Sequence, residues 1–117
     1  MEDIKIIIAS HKKYKTADEK MYMPVQVGAE GKEKIEGYIQ DNTGENISSK
    51  NPYFCELTGL YWAWKNLDAD YVGLVHYRRY FTNKKKVPKT ENEKFEIVLT
   101  EKELRDKLKN VDIILPK

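Results

Sequence analysis

Cysteine is almost absent from this chain of 117 residues, because Cys55 is the only one. A single cysteine excludes an internal disulfide and any metal site that needs two thiolates, and it fits a reducing compartment. Long apolar runs are also missing, and the N-terminal run "IIIA" is far too short for a signal-peptide core or a membrane span. We therefore expect a cytoplasmic protein with no membrane span in this segment.

Neither sign of charge is in large excess, since 21 basic and 19 acidic residues leave a formal net charge of +2. This balance provides no global attraction to nucleic acid or to an anionic membrane. The chain also has no "GxSxG", no "GxxxxGK[ST]", no "GxGxxG" and no pair of histidines at metal-ligand spacing. Any charged partner must therefore be recognised locally.

Two apolar segments are typical of buried strands, namely Ile4 to Ala9 and Tyr71 to Val75, and Met23 to Val27 is a weaker strand candidate. Buried strands separated by helices imply parallel pairing through right-handed crossovers. The sequence therefore predicts an α/β fold with a mainly parallel sheet flanked by helices. We expect the two buried strands to be adjacent or nearly so, with Ser10 and His76 at the same edge of the sheet.

The strongest helix signal follows the loop 41–51, which is rich in turn-forming residues and predicted to be exposed. Asn51 suits the N-cap, and Pro52 suits the first helical position. The apolar residues that follow recur at helical spacing and predict the face that packs on the core, whereas Trp62 lies off that face. The residues predicted on the core face are Leu57, Leu60, Tyr61, Trp64 and Leu67.

Three shorter elements are predicted in the C-terminal third. The segment "KFEIVL" suggests an edge strand, Thr100 and Glu103 form a capping box that opens a short helix, and "VDIILP" suggests a last strand. Only two helices are then available to cover a parallel sheet, which needs helices on both faces. We expect residues 1–117 to be a single, truncated domain; the alternative is a small complete domain with a one-sided sheet.

Ligands of open α/β sheets bind outside the carboxyl ends of the strands. Three segments should converge there: "SHKK", the loop 41–51 and "HYRRYF". Guanidinium forks and free N–H groups at a helix start suit phosphate oxygens, while the rings of Tyr77, Tyr80 and Phe81 suit stacking on a base or sugar. The pattern favours a phosphorylated ligand. The candidate binding residues are Ser10, His11, Asp41, Asn42, Asn46, His76, Tyr77, Arg78 and Arg79.

Each of these features also has a structural interpretation. The arginine pair can serve as a solvated ion-pair donor, and His76 alone is more often a hydrogen-bonded structural histidine than a ligand. The acidic "DAD" segment, Asp68 to Asp70, resembles a metal-binding motif, but it precedes its strand and would lie at the wrong end of the sheet. We interpret it as a turn.

The segments "IIIASHKKY", "PVQVGA", "DNTGENISSKNPYFCELTGLYWAWKN", "DYVGLVHYRRYF" and "VDIILPK", in this order, resemble an uncharacterised-domain family found in bacterial capsular and exopolysaccharide glycosyltransferases. Some members look like galactofuranosyltransferases. The resemblance covers nearly the whole chain and implies the N-terminal, donor-side half of a GT-A-type glycosyltransferase. It implies a nucleotide-diphosphate-sugar donor and a saccharide acceptor, in capsular polysaccharide, exopolysaccharide or O-antigen synthesis. The candidate residues would then bind the donor.

In GT-A enzymes the corresponding strand usually ends in an Asp-x-Asp motif that holds a metal, and here "HYRR" stands in its place without an acid. We hypothesise that Arg78 or Arg79 supplies the positive charge instead, so no cofactor and no metal ligand are assigned. The weaker alternative makes His76 a ligand of a divalent metal or a structural anchor. The competing class of function is a non-catalytic binding module that uses "HYRRYF" to bind nucleic acid or a partner protein, and near-neutral charge argues against nucleic acid.

Overall fold

The computed structural model describes residues 2–116 and divides the chain into two compact units, the first ending at Arg78 and the second beginning at Arg79. The first unit contains a four-stranded, all-parallel sheet in the order β3-β2-β1-β4, which confirms the predicted α/β fold. The central strand β1 is buried along nearly its whole length, as its β-branched run predicts. The strands are β1 (Ile4–Ser10), β2 (Tyr22–Gln26), β3 (Ile39–Gln40) and β4 (Tyr71–His76).

The pairing of β1 with β4 has the expected direction and neighbours. Ile4 lies opposite Tyr71, and Ala9 lies opposite His76, in parallel register. The pairing continues past the strand ends, because the Tyr77 amide donates to the Ala9 carbonyl over 3.2 Å. Ser10 and His76 therefore lie at the same edge of the sheet, and this prediction is confirmed.

A break interrupts the predicted helix near its start. After a 3₁₀ turn, Ser48–Lys50, the chain forms α1 (Asn51–Phe54) and then α2 (Leu57–Asn66), so the prediction of one continuous helix was wrong. The break is at Cys55, whose φ of 53° lies in the left-handed region. Asn51 is the first residue of α1 rather than its N-cap, a position that Lys50 takes. The carbonyl of Cys55 accepts from the side chain of Asn51 over 2.8 Å and from the amide of Thr58 over 3.2 Å, and these bonds stabilise the break.

The face of α2 that packs on the sheet is also not the predicted one. Trp62 is buried and packs with Ile7 and Val25, whereas Trp64 is 68% exposed and Leu57 is 49% exposed. A Cβ atom at Gly59 would lie 2.7 Å from Val27 Cγ1, so the helix approaches the sheet on a side that only a glycine allows. Close approach through small residues decided the orientation. Of the predicted stripe, Leu67 packs against this core as expected, whereas Leu57 and Trp64 lie outward. The residues of α2 that are buried are Thr58, Gly59, Trp62 and Ala63.

The second unit contains two helices, α3 (Glu91–Glu96) and α4 (Glu101–Leu108). The predicted capping box of Thr100 and Glu103 is present at the start of α4. The predicted edge strand "KFEIVL" was wrong: its first half lies in α3, and only Val98 forms an isolated antiparallel bridge, with Thr82. The segment "VDIILP" has no strand structure and is mostly exposed. Within residues 2–116, no helix is both long and apolar enough to cross a membrane.

Candidate functional site

Two adjoining concavities of about 300 and 330 Å³ lie at the carboxyl edge of the sheet, both built from residues of the first unit. They share three lining residues, His11, Val27 and Asn51, and we call the two together the edge cleft. This is the edge at which parallel sheets bind ligands. The first concavity is lined in addition by Ala9, Ser10, Cys55, Glu56 and His76, and the second by Gln26, Gly28, Lys32 and Glu33.

Three of the residues predicted from the sequence meet in this cleft: Ser10, His11 and His76. Ser10 is buried, and its hydroxyl donates to the carbonyl of Lys12, so it shapes the turn that presents His11. His11 is exposed, and His76 is half-buried at the end of β4. The ends of β1 and β4 therefore bring together two imidazoles that are 65 positions apart in the chain.

Tyr77 forms the support behind these imidazoles rather than a stacking surface for a ligand. It is buried, and its ring stacks on Tyr14 at 4.2 Å with an interplanar angle of 6°. The rings of His11 and His76 lie 5.7 and 4.2 Å from it. Because Tyr14 occupies a face of the ring, the prediction that Tyr77 stacks on a base does not fit this geometry.

Arg78 is exposed and is oriented by Tyr77, since its Nε donates to the Tyr77 hydroxyl over 3.0 Å. Hydrogen bonding to Tyr77 raises the pKa of Tyr14. Burial favours a higher pKa for Tyr77 as well, but its hydrogen bonds with Tyr14 and Arg78 outweigh burial and hold its pKa below the ordinary tyrosine value. The guanidinium is thus held against the tyrosine that supports both imidazoles.

Asp41 lies in the interior instead of facing a ligand. Its carboxylate is completely buried and accepts hydrogen bonds from the backbone amides of Gly28 and Ala29 and from the hydroxyls of Ser48 and Thr58. These four donors come from the loop that follows β2, the 3₁₀ turn and the start of α2. Asp41 therefore ties together the segments that form one wall of the edge cleft.

Asp41, Tyr77 and Arg78 are not among the residues that line the two concavities, and the remaining candidates do not line them either. The side-chain amide of Asn46 is engaged within its own loop, donating to the Gly44 carbonyl and accepting from the Ser48 amide. Asn42 is half-buried in the same loop, and neither asparagine is among the residues that line the two concavities. Arg79 is exposed and begins the second unit.

Sequence reasoning did not assign six polar residues of the cleft to a binding site: Gln26, Lys32, Glu33, Asn51, Cys55 and Glu56. Asn51 was interpreted as a helix cap, and Lys32 lies in a segment without a clear pattern. Asn51, Cys55 and Glu56 lie around the break at Cys55, and they line the cleft because the chain changes direction there. No motif in the sequence predicts that break.

A metal site of the kind implied by the GT-A resemblance does not fit the residues that the structure describes. Among residues 2–116, no three His, Cys, Asp or Glu side chains lie close enough together to hold a metal ion. Asp70 of the "DAD" turn accepts from the Asp3 amide, at the start of β1 and β4 and therefore at the opposite edge from the cleft. The interpretation of this segment as a turn agrees with that contact.

The fold is similar to that of a bifunctional glycosyltransferase named WbbM, solved in its apo state, with a TM-score of 0.86 and 36% sequence identity. The match covers 98% of this chain and 23% of that chain. The parallel sheet and this likeness together define a glycosyltransferase-related α/β domain, as the sequence resemblance implied.

Residues 5–117 match the family described as a domain of unknown function, DUF4422, and the chain belongs to this family. No curated protein matches the chain significantly.

Proposed function

We propose that this chain is the donor-side, N-terminal half of a glycosyltransferase and binds a nucleoside-diphosphate sugar in the edge cleft. The observation that carries the proposal is the cleft at the ends of β1 and β4. It lies in a chain whose sequence is 36% identical, over 98% of its length, to that of a solved glycosyltransferase. The sugar passes to a saccharide acceptor in capsular polysaccharide, exopolysaccharide or O-antigen synthesis, on the cytoplasmic side of the cell.

In this reaction, an acceptor hydroxyl attacks the anomeric carbon of the donor sugar and loses its proton to a base. The bond from that carbon to the diphosphate oxygen breaks, and its electron pair stays on the departing nucleoside diphosphate. Negative charge therefore grows on the diphosphate in the transition state, and a cation placed beside it stabilises the transition state more than the ground state.

Arg78 suits this role best among the predicted cations. Its Nε is held by the Tyr77 hydroxyl, and its exposed side chain leaves the two terminal amino groups as a fork for phosphate oxygens. Arg79 is the second candidate and follows directly in sequence. A guanidinium in this role makes binding of the diphosphate independent of an added divalent metal.

The test is calorimetric titration of the chain with UDP and GDP, with and without a chelator. Replacing Arg78 by Ala removes a charge-assisted contact worth about 1.5–3 kcal/mol, so we expect an affinity loss of roughly tenfold to a few hundredfold. Arg78→Lys should recover only part of it, because lysine keeps the charge but not the fork. Arg79→Ala is measured beside it, and chelator should change nothing.

Arg105→Ala is the matched control, because Arg105 lies in α4 and pairs with Glu101. Its nucleotide affinity should equal that of the unchanged chain. If the unchanged chain binds neither nucleotide, the proposed function is wrong. If chelator abolishes binding while both Ala variants at Arg78 and Arg79 bind normally, a metal and not a guanidinium carries the diphosphate.

A further inference from the structure

We propose that the side-chain oxygen of Asn51 recognises a hydroxyl of the donor's sugar, and that Asp41 and Thr58 hold it in the orientation to do so. This inference rests on the proposed function. It specifies which part of the donor contacts the wall of the cleft around Asn51. Asn51 is one of the three residues that line both concavities, so a ligand that fills either one passes it.

The orientation of the Asn51 amide follows from its hydrogen bonds. Its Nδ2 donates to the Cys55 carbonyl over 2.8 Å and to Thr58 Oγ1 over 3.1 Å. A carbonyl can only accept, so the nitrogen must face Cys55 and the oxygen must face the other way. That oxygen lies beside Gly28, where a Cβ atom would be 2.7 Å from it. The amide therefore presents its Oδ1, an acceptor, on the side of Gly28.

This Oδ1 is also free to bind a ligand. No group in the described part of the chain donates a hydrogen bond to it. Every fully buried side-chain nitrogen or oxygen within residues 2–116 has a partner, so this oxygen, which has none, is not fully buried. An oriented, accessible acceptor on the wall of a cleft is a recognition group for a hydrogen-bond donor.

Asp41 sets the direction of the hydrogen bonds that lead to Asn51. Its buried carboxylate accepts from Thr58 Oγ1 over 2.6 Å. Because Thr58 has a single hydroxyl proton and donates it to Asp41, its oxygen accepts from Asn51 Nδ2. The chain of bonds thus runs from Asn51 through Thr58 to Asp41, and Asp41 and Thr58 are positioning residues for the Asn51 oxygen.

The ligand group that fits this wall carries hydroxyls rather than phosphate. An acidic residue accompanies Asn51 in each concavity, Glu56 in the first and Glu33, next to Lys32 in sequence, in the second. Carboxylates and an amide oxygen repel phosphate oxygens and accept from hydroxyls, which is the hydrogen-bonding pattern of a sugar. A nucleoside-diphosphate sugar has hydroxyls on its ribose and on its transferred sugar. We propose that the hydroxyls bound at this wall belong to the transferred sugar. The ribose is the alternative, and the experiment distinguishes the two.

The experiment compares two ligands that share the ribose and differ in the sugar. UDP and UDP-glucose are titrated by calorimetry, with UDP-galactose and the pair GDP and GDP-mannose measured in parallel. Asn51→Ala should lower the affinity for the sugar conjugate by about tenfold and change the affinity for the plain diphosphate by less than about twofold. Thr58→Ser should keep the ratio of the two affinities, because it keeps the hydroxyl, and Thr58→Val should reduce it. Asn110→Ala, outside the cleft, is the control.

A second measurement on the unchanged chain covers the case in which a variant does not fold. The side-chain amide resonances of Asn51 should shift in NMR spectra on addition of the sugar conjugate and stay in place with the diphosphate alone. Equal losses for both ligands, or equal shifts with both, assign Asn51 to the nucleoside and overturn the inference while the proposed function stands. If the unchanged chain binds none of these nucleotides, the proposed function fails and the inference fails with it.

Discussion

At the scale of single residues, Trp62 and Trp64 have the same side chain but differ in burial, and therefore in their contribution to stability. Trp62 is 5% exposed, packs in the core with Ile7 and Val25, and donates from its Nε1 to Thr43 Oγ1 over 2.8 Å. Trp64 is 68% exposed, and the ammonium of Lys65 lies 3.7 Å from its ring centroid. Packing energy is therefore concentrated in Trp62, while Trp64 contributes a surface cation–π contact.

Truncating each tryptophan to Ala tests this assignment. Trp62→Ala should lower the free energy of unfolding by about 3–5 kcal/mol, because a large cavity remains in the core. Trp64→Ala should cost about 0.5–1 kcal/mol, the usual value of an exposed cation–π pair. Urea unfolding followed by circular dichroism measures both. A larger loss for Trp64 than for Trp62 would reverse the assignment, and Trp62→Phe serves as a milder variant if Trp62→Ala does not fold.

At the scale of elements, the start of α4 is set by a reciprocal pair of hydrogen bonds. Thr100 Oγ1 accepts from the Glu103 amide over 3.1 Å, and the Glu103 carboxylate accepts from the Thr100 amide over 3.0 Å. The bond from the Thr100 backbone is the main reason that the pKa of Glu103 lies below its usual value. Two amides that the first helical turn leaves without helical partners are thereby satisfied.

Removing the cap should destabilise α4 by a measurable amount. Thr100→Ala should lower the free energy of unfolding by about 1 kcal/mol at neutral pH, because the Glu103 amide loses its acceptor. Ser49→Ala, an exposed hydroxyl in the 3₁₀ turn, is the control and should change stability by less than about 0.5 kcal/mol. Urea titrations of the three chains measure the difference, and equal stability of Thr100→Ala and the unchanged chain would contradict the role of the box.

The lowered pKa of Glu103 gives the same box a dependence on pH. Because the folded-state pKa lies below the unfolded value, the stabilisation is fully present above the unfolded pKa and is lost as pH falls through the folded one. Glu103→Gln should therefore lose stability relative to the unchanged chain at neutral pH. The difference in the free energy of unfolding between the two chains should decrease as the pH is lowered.

At the scale of the whole molecule, the net charge distinguishes the two hypotheses for function, a donor-binding site and a nucleic-acid-binding module. The formal net charge is only +2, because 19 acidic residues nearly offset the 21 basic residues, which include the lysines of "NKKK". Non-specific binding to nucleic acid depends on neutralising many phosphates and falls steeply with salt. A pocket that recognises one nucleoside diphosphate through directed contacts depends on salt less strongly.

We therefore expect a labelled single-stranded oligonucleotide to bind weakly and to dissociate as salt rises from about 50 to about 200 mM. UDP or GDP should keep most of its affinity over the same range. Fluorescence anisotropy measures the first and calorimetry the second. An oligonucleotide that displaced the nucleoside diphosphate at physiological salt would support the binding-module alternative instead.

Local and non-local signals explain which parts of the fold were predictable. The capping box at Thr100 involves residues three positions apart, so the sequence alone predicts it. The same signal, Thr90 followed by Glu93, opens α3, where Thr90 Oγ1 accepts from the Glu93 amide over 3.1 Å. The box is incomplete there, because the Glu93 carboxylate accepts from the Lys89 amide instead of the Thr90 amide. Sequence reasoning overlooked this cap and interpreted the next residues as a strand. The apolar "VDIILP" shows the reverse case, because a strand forms only where a neighbouring strand completes its hydrogen bonds.

The sequence by itself determined the parallel sheet and the edge at which Ser10 and His76 lie together. Runs such as "IKIIIA", apolar except for Lys5, fit inside a covered sheet, and parallel pairing then places Ser10 and His76 at one edge. Only the tertiary structure decided that Trp62 is buried, that Asp41 is an interior acceptor and that Asn51 lies on the cleft wall. These outcomes depend on the shape of distant neighbours: α2 approaches the sheet closely only through Gly59, and the Asp41 carboxylate is satisfied only when three separate segments meet around it.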